Sequence, residues 1–273
     1  MSQELVQPYN DGKELLNGIH GGTDYIRLSP SQLGKFFTKR HEWIRETVLG
    51  EEKAFQGSTS TELGNVIHAL LENTAKKTMP DDINGAVDKY IDAIEDLTID
   101  KEEIRREWFN MGALAVKEFV LDEADDFVVE AEGQSHIKLA DDVYIFGTYD
   151  ALVKDKATGG LCVRDYKTAG TKPSKGWTYD YKMQAQAYAY MLTEEGKNIT
   201  SIELAYIIRP TKTLPARVFT FREPYTSTTH NYIGNNLKLI TETVEAFKKY
   251  PELRHVIAQD YRLKEIPKTD FPT

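Results

Sequence analysis

Apolar positions along the chain repeat with two different periods. Leu63, Val66, Ile67, Leu70 and Leu71 fall at i, i+3, i+4, i+7 and i+8, the stripe of a helix buried along one side, and predict a helix over about Ser60–Lys77. Upstream, Ser29 as N-cap, Pro30 at the first helical position and Gln32 closing a capping box predict a helix carrying Leu33, Phe36, Phe37, Trp43 and Ile44. Two more helical stretches, about Asp82–Leu97 and Lys101–Ala124, are strongly acidic on their polar sides and have the pattern of a solvated insertion. The pattern then changes. Phe127–Glu132, His136–Leu139, Val143–Lys154 and Leu161–Thr168 are rich in β-branched and aromatic residues, are separated by turn residues, and predict strands. An alanine-rich helix over about Tyr181–Glu194, strands at Ile202–Ile208 and Arg217–Phe221, and a helix over about Ser227–Tyr250 complete the order. Together these predict one mixed α/β domain over 26–250 with a helical insertion at 82–124, a polar arm at 1–25 and a proline-broken tail at 251–273.

Composition narrows the function classes. With 40% hydrophobic and 28% charged residues in 273, the chain has an ordinary globular mix. No apolar run approaches the ~18 residues of a membrane span, and Met1–Pro8 lacks a basic segment followed by an apolar one, so no membrane association is expected and a cytoplasmic location is. The single cysteine, Cys162, excludes an internal disulfide and any four-cysteine zinc or iron–sulfur site. The net charge of −9 would not by itself suggest a nucleic-acid partner. Its distribution matters more: Val143–Glu223 holds 12 Lys/Arg against 8 Asp/Glu, so positive charge gathers where the chemistry below lies.

That chemistry centres on Leu161–Thr168. Alternation along a strand puts Leu161, Val163, Asp165 and Lys167 on one face, an apolar start with a charged finish. If Lys154 pairs with Leu161 across the turn at Asp155–Gly160, Asp150 falls opposite Asp165. Like charges facing each other on an antiparallel pair are destabilising. Two facing carboxylates call for a divalent cation, a shared proton or a neighbouring amine such as Lys167, unless the hairpin end is exposed and both splay into water. The helix over Ser60–Lys77 places Gly64, His68 and Glu72 along one stripe. His68 there is either a metal ligand or a histidine satisfied by hydrogen bonds. On the alanine-rich helix, Gln184 and Tyr188 are i, i+4 neighbours, at the rim of a site or in an ordinary amphipathic pattern.

Taken together, Gly64-Asn-Val-Ile-His68, Gly147-Thr-Tyr-Asp150, Asp165-Tyr-Lys167 and Gln184-Ala-Gln-Ala-Tyr188 resemble, in order and spacing, the GxxxH, GxxD, DxK and QxxxY motifs of the PD-(D/E)XK nuclease superfamily. The branch they resemble is that of RecB-like and phage-type exonucleases. Glu132 lies on an earlier strand where that branch often carries an acidic residue, and Ser29–Leu33 resembles its opening helix. The cysteines of the iron–sulfur-bearing relatives are absent, so the resemblance is to the branch without the cluster.

The resemblance implies a restriction-endonuclease-like α/β core, a central mixed sheet flanked by helices, and a metal-dependent deoxyribonuclease of the exonuclease type. It implies Asp150, Asp165 and Lys167 as catalytic residues, with Mg²⁺, replaceable by Mn²⁺, held by His68, Asp150, Asp165 and the backbone carbonyl of Tyr166. It further implies substrate contacts from Gln184 and Tyr188, with Lys172, Lys175 and Lys182 available to phosphates, and supporting roles for Gly64, Glu72 and Glu132. The partners implied are DNA, a single-strand annealing or recombination protein, and further copies of the chain, in phage or bacterial DNA recombination, replication or repair. An endonuclease or structure-specific nuclease of the same fold, and a catalytically silent DNA-binding scaffold, are the alternatives.

Overall fold

A computed structural model describes residues 25–49, 57–122, 124–174 and 176–253. The expected arm up to residue 24, Lys175 and the tail from 254 lie outside the described residues. Among the described residues, six strands and seven α-helices occur in the order β1 (Ile26–Leu28), α1 (Leu33–Thr38), α2 (Arg40–Trp43), α3 (Thr59–Lys76), α4 (Ile83–Asp92), α5 (Lys101–Val116), β2 (Asp126–Ala140), β3 (Val143–Asp155), β4 (Leu161–Ala169), α6 (Tyr179–Glu194), β5 (Ile199–Ile208), β6 (Arg217–Pro224) and α7 (Ser227–Lys249). The strands form one mixed sheet ordered β1-β3-β4-β5-β6, with β2 also paired to β3. The β2–β3, β3–β4 and β5–β6 pairs are antiparallel, while β1–β3 and β4–β5 are parallel. This is the restriction-endonuclease-like α/β core that the resemblance implies.

The sheet is covered on both faces. Leu33, Phe36, Trp43, Met183, Ile240 and Phe247 pack from α1, α2, α6 and α7 onto Val143, Ile145, Leu152 and Val163. Leu63, Ile67, Leu70, Val87, Trp108 and Met111 pack from α3, α4 and α5 onto Ala151, Val153, Cys162, Tyr166 and Ala205. The acidic helices α4 and α5 are therefore more than a solvated insertion. Their apolar stripes supply half of one layer, and only the opposite faces meet water.

Other departures from the expected elements have local causes. Ser29 makes no side-chain cap; its hydroxyl lies 2.8 Å from that of Ser31. Gln32 turns its Oε1 toward the Thr47 hydroxyl, 3.5 Å away. Pro30–Gln32 is accordingly a 3₁₀ turn, and the helix starts at Leu33. The two strands expected between Phe127 and Leu139 are one 15-residue strand, because Gly133 and Ser135, which look like turn residues, pair in register with Tyr149 and Gly147. In contrast, α3 has a side-chain cap, with the Ser58 hydroxyl accepting from the Thr61 N–H.

Candidate metal centre

The β3–β4 pairing has the register the sequence predicts, from Lys154↔Leu161 to Ala151↔Arg164. It stops one step before Asp150 and Asp165, so the two aspartates do not form a ladder pair. In place of the next backbone bond, Asp150 Oδ2 accepts the Tyr166 N–H at 2.6 Å. The β2–β3 ladder skips the same level: Ala131↔Ala151 and Gly133↔Tyr149 are paired, with Glu132 and Asp150 between them. Glu132 has φ 49°, a left-handed backbone that is uncommon for a residue with a side chain. The alternation of β3 also slips here, since Tyr149 and Leu152, three residues apart, both face the α6 layer. Interruptions of this kind re-aim side chains beside functional sites.

The result is a convergence of α3, β2 and β3. One ligand atom each from His68, Glu132 and Asp150 lies within 4.8 Å of the others. His68 Nδ1 is 3.6 Å from Asp150 Oδ1, and its ring meets Tyr166 edge-on at 5.9 Å. α3 approaches β4 closely at Gly64, where a Cβ would lie 3.1 Å from the Thr168 hydroxyl. Asp165 is not in the three-residue group. It is buried, and its Oδ2 pairs with Lys167 Nζ at 2.6 Å. The Lys167 ammonium also lies 5.0 Å from the centre of the Tyr181 ring on α6.

The electrostatics show carboxylates competing for too little positive charge. Burial, reinforced by the charge of Asp150, pushes Glu132 up to about 8. Burial pushes Asp165 up to about 6 despite the pull of Lys167, with Asp150 adding to the rise. Asp150 is lowered: burial opposes its charge, but His68, Lys167 and the Tyr166 N–H outweigh it. His68 is raised, because Asp150 outweighs the burial that disfavours its protonated form. A cation among these oxygens would relieve the conflict, and one imidazole with two carboxylates is a donor set that could hold a divalent metal.

The remaining expected site residues divide. Gln184 is half-buried on α6. Tyr188 is 5% exposed and packs against Gly147, where a Cβ would come within 2.8 Å of its ring. Lys182 is tied to Glu223 at 2.5 Å, and Lys172 is exposed with its ammonium 4.1 Å over the Phe219 ring. Glu72 pairs with Lys76 at 2.6 Å. Tyr166, expected to offer its carbonyl, meets the centre through its N–H and its ring edge. Glu132, expected only to support the site, is part of the three-residue group.

A model of the PD-(D/E)XK nuclease superfamily matches residues 27–273. The chain belongs to the PD-(D/E)XK nuclease superfamily. Enzymes of this superfamily use divalent metals, in keeping with the His68, Glu132 and Asp150 group. Among solved structures, a candidate exonuclease of Eubacterium rectale is similar to this chain at 10% identity and TM-score 0.51, over 89% of this chain and 87% of that one. A phage-related exonuclease of Haemophilus somnus 129PT matches at 12% identity and TM-score 0.46, over 86% of this chain and 98% of that one. The alkaline exonuclease LHK-Exo of Laribacter hongkongensis matches at 12% identity and TM-score 0.41, over 84% and 93%. At these identities the likeness is one of fold. No curated protein matches by sequence. Among the described residues, no helix is long and apolar enough to cross a membrane.

Proposed function

We infer that the chain is a Mg²⁺-dependent deoxyribonuclease of the exonuclease type, acting in recombination, replication or repair of phage or bacterial DNA. The observation that carries this reading is the meeting of His68, Glu132 and Asp150 next to the Asp165–Lys167 pair, where the ladders of β3 with β2 and β4 are interrupted.

His68, Glu132 and Asp150 would hold the cation, with Asp165 supplied from β4. Bound Mg²⁺ supplies charge neutralisation at the scissile phosphate and lowers the pKa of water. Lys167, fixed between the Asp165 carboxylate and the Tyr181 ring, holds the attacking water and offsets charge building on the phosphate. Asp165 keeps that ammonium in place while its own charge is partly cancelled. Gln184, half-buried on α6, and the exposed Lys172 contact the nucleic-acid backbone, and Lys172 would make affinity fall as salt rises. A cytoplasmic location, an annealing or recombination partner and self-assembly belong to the same reading.

Incubation of the full chain with linear and covalently closed circular DNA, with Mg²⁺ and with EDTA, tests the function. Loss of linear DNA only, dependent on the cation and abolished in Asp150→Asn, is the expected result. Attack on circles would make it an endonuclease, and no cleavage of either would make it a scaffold.

A further inference from the structure

Two tyrosines beneath the metal centre each fill a gap left by a glycine. Tyr149 on β3 is 1% exposed and lies directly across from Gly133 on β2. Any Cβ on Gly133 would run into the tip of the Tyr149 ring. The ring is held from both sides. Its hydroxyl lies 3.2 Å from Lys197 Nζ, which is also 3.2 Å from Glu130 Oε2. Its other edge meets Tyr188 in a T-shaped contact at 6.2 Å, and Tyr188 in turn occupies the space over Gly147. Gly133 follows Glu132, the residue with φ 49° whose carboxylate joins His68 and Asp150.

The geometry points to Tyr149 as a positioning residue that acts through Gly133 to hold the left-handed backbone of Glu132, and so aims the Glu132 carboxylate at the metal. A left-handed residue within a strand is strained and persists only where its surroundings over-determine it. Here the ring pressed onto Gly133 fixes the next peptide, and Asp150, adjacent to Tyr149 on β3, fixes the opposing strand at the same level. The same contacts give Gly147 and Tyr188 a function apart from substrate: they wedge Tyr149 from behind. The inference rests on the reading of His68, Glu132 and Asp150 as metal ligands.

The test is a double-mutant cycle on Mn²⁺ affinity, read from the electron paramagnetic resonance of free Mn²⁺ with the full chain and no DNA. Glu132→Gln and Tyr149→Leu are each expected to weaken affinity at least tenfold, and Tyr149→Phe, which keeps the ring, less than threefold. Glu132→Gln combined with Tyr149→Leu should bind no more weakly than Glu132→Gln alone, because Tyr149 acts only through that carboxylate. A merely structural role would lower affinity by the same factor whether or not residue 132 is a glutamate, and multiplying losses would overturn the proposal. Gly133→Ala perturbs the same contact from the other strand; it should reproduce the loss and its non-additivity should Tyr149→Leu not fold. Weakening by Glu132→Gln with no change in Tyr149→Leu or Gly133→Ala would refute the positioning role and leave the metal site standing. Unchanged affinity in both Glu132→Gln and Asp150→Asn would remove the metal site itself.

Discussion

Asp150 Oδ2 accepts the backbone N–H of Tyr166 at 2.6 Å, so a side chain continues a ladder that the main chain abandons at Ala151↔Arg164. The same carboxylate faces His68 through its other oxygen, at 3.6 Å. Structural and chemical roles can therefore be separated by choice of substitution. Asp150→Asn keeps an acceptor for Tyr166 and loses the charge. It should leave the urea midpoint nearly unchanged while reducing Mg²⁺-dependent DNA degradation by at least about 100-fold. Asp150→Ala orphans a buried N–H as well, which costs about 1–3 kcal/mol. Equal stability of the two variants would show that the Tyr166 contact contributes nothing to the fold.

Lys167 is a different case, because its amine binds no metal. Replacement by Met removes the cation that faces Asp165, 2.6 Å away, and the ammonium that holds the attacking water. Proton-transfer and water-positioning groups typically contribute 10²–10⁴-fold, so Lys167→Met should lower cleavage by about that factor. Mn²⁺ affinity should be retained or increased, since one positive charge near the site is gone. A parallel loss of affinity and cleavage in titration and single-turnover assays would instead make Lys167 part of the cation's own binding site.

Much of this arrangement is legible in the sequence for physical reasons. The apolar stripe of α3 fixes the orientation of His68, and the turn at Asp155–Gly160 fixes the β3–β4 register as far as Arg164. What pattern reasoning missed lies where periodicity breaks. The three-residue strand Ile26–Leu28 is too short to show a period. Gly133 and Ser135 have turn composition, yet they sit inside a 15-residue strand whose pairing is decided by the partner strand. Glu132 could be expected on a strand, but its left-handed backbone depends on Tyr149, 17 positions later. The one available signal was a glycine opposite a large aromatic, which shows only once the hairpin register is known. Tyr188 carries more than its motif conveys: beside the substrate contact that the resemblance implies, the fold uses it to pack against Gly147.

Behind the site, the sheet carries a buried ionic network. Arg164 Nε lies 2.5 Å from Glu203 Oε1 and its Nη2 lies 3.1 Å from Asp126 Oδ2, while Arg222 Nε reaches Glu203 Oε2 at 2.7 Å. The Arg164 and Glu203 side chains are only 4% and 3% exposed. Breaking such a pair from one side strands the other charge, typically at about 3–5 kcal/mol, whereas replacing both members by apolar residues is far less costly. Arg164→Leu should therefore lower unfolding free energy by about 3 kcal/mol, toward the lower end because Arg222 still pairs with Glu203. Arg164→Leu with Glu203→Leu should recover part of that loss. A single variant as stable as the parent in urea unfolding would show that the network relaxes into water.

Cys162 gives an independent reading of the folded state. It is fully buried on β4 against the α3 layer, and burial, with Glu203 adding to it, pushes its thiol up to about 12. In the unfolded chain the thiol returns to a value near 8.5. At pH 8 the native thiol is neutral and enclosed, so iodoacetamide reacts only with molecules that have opened. Labelling should be slow in the native protein, rise to the rate of a free thiol in denaturant, and remain slow in the native protein up to about pH 10. A cation bound by His68, Glu132 and Asp150 ties α3 to the sheet over Cys162. Millimolar Mn²⁺ should therefore slow labelling further in the parent and leave the rate in Asp150→Asn unchanged, as expected of a ligand that binds only the folded form. Rapid labelling of the native protein at pH 8 would show that the sheet opens at Cys162 without global unfolding. Equal protection of both proteins by Mn²⁺ would place the cation elsewhere.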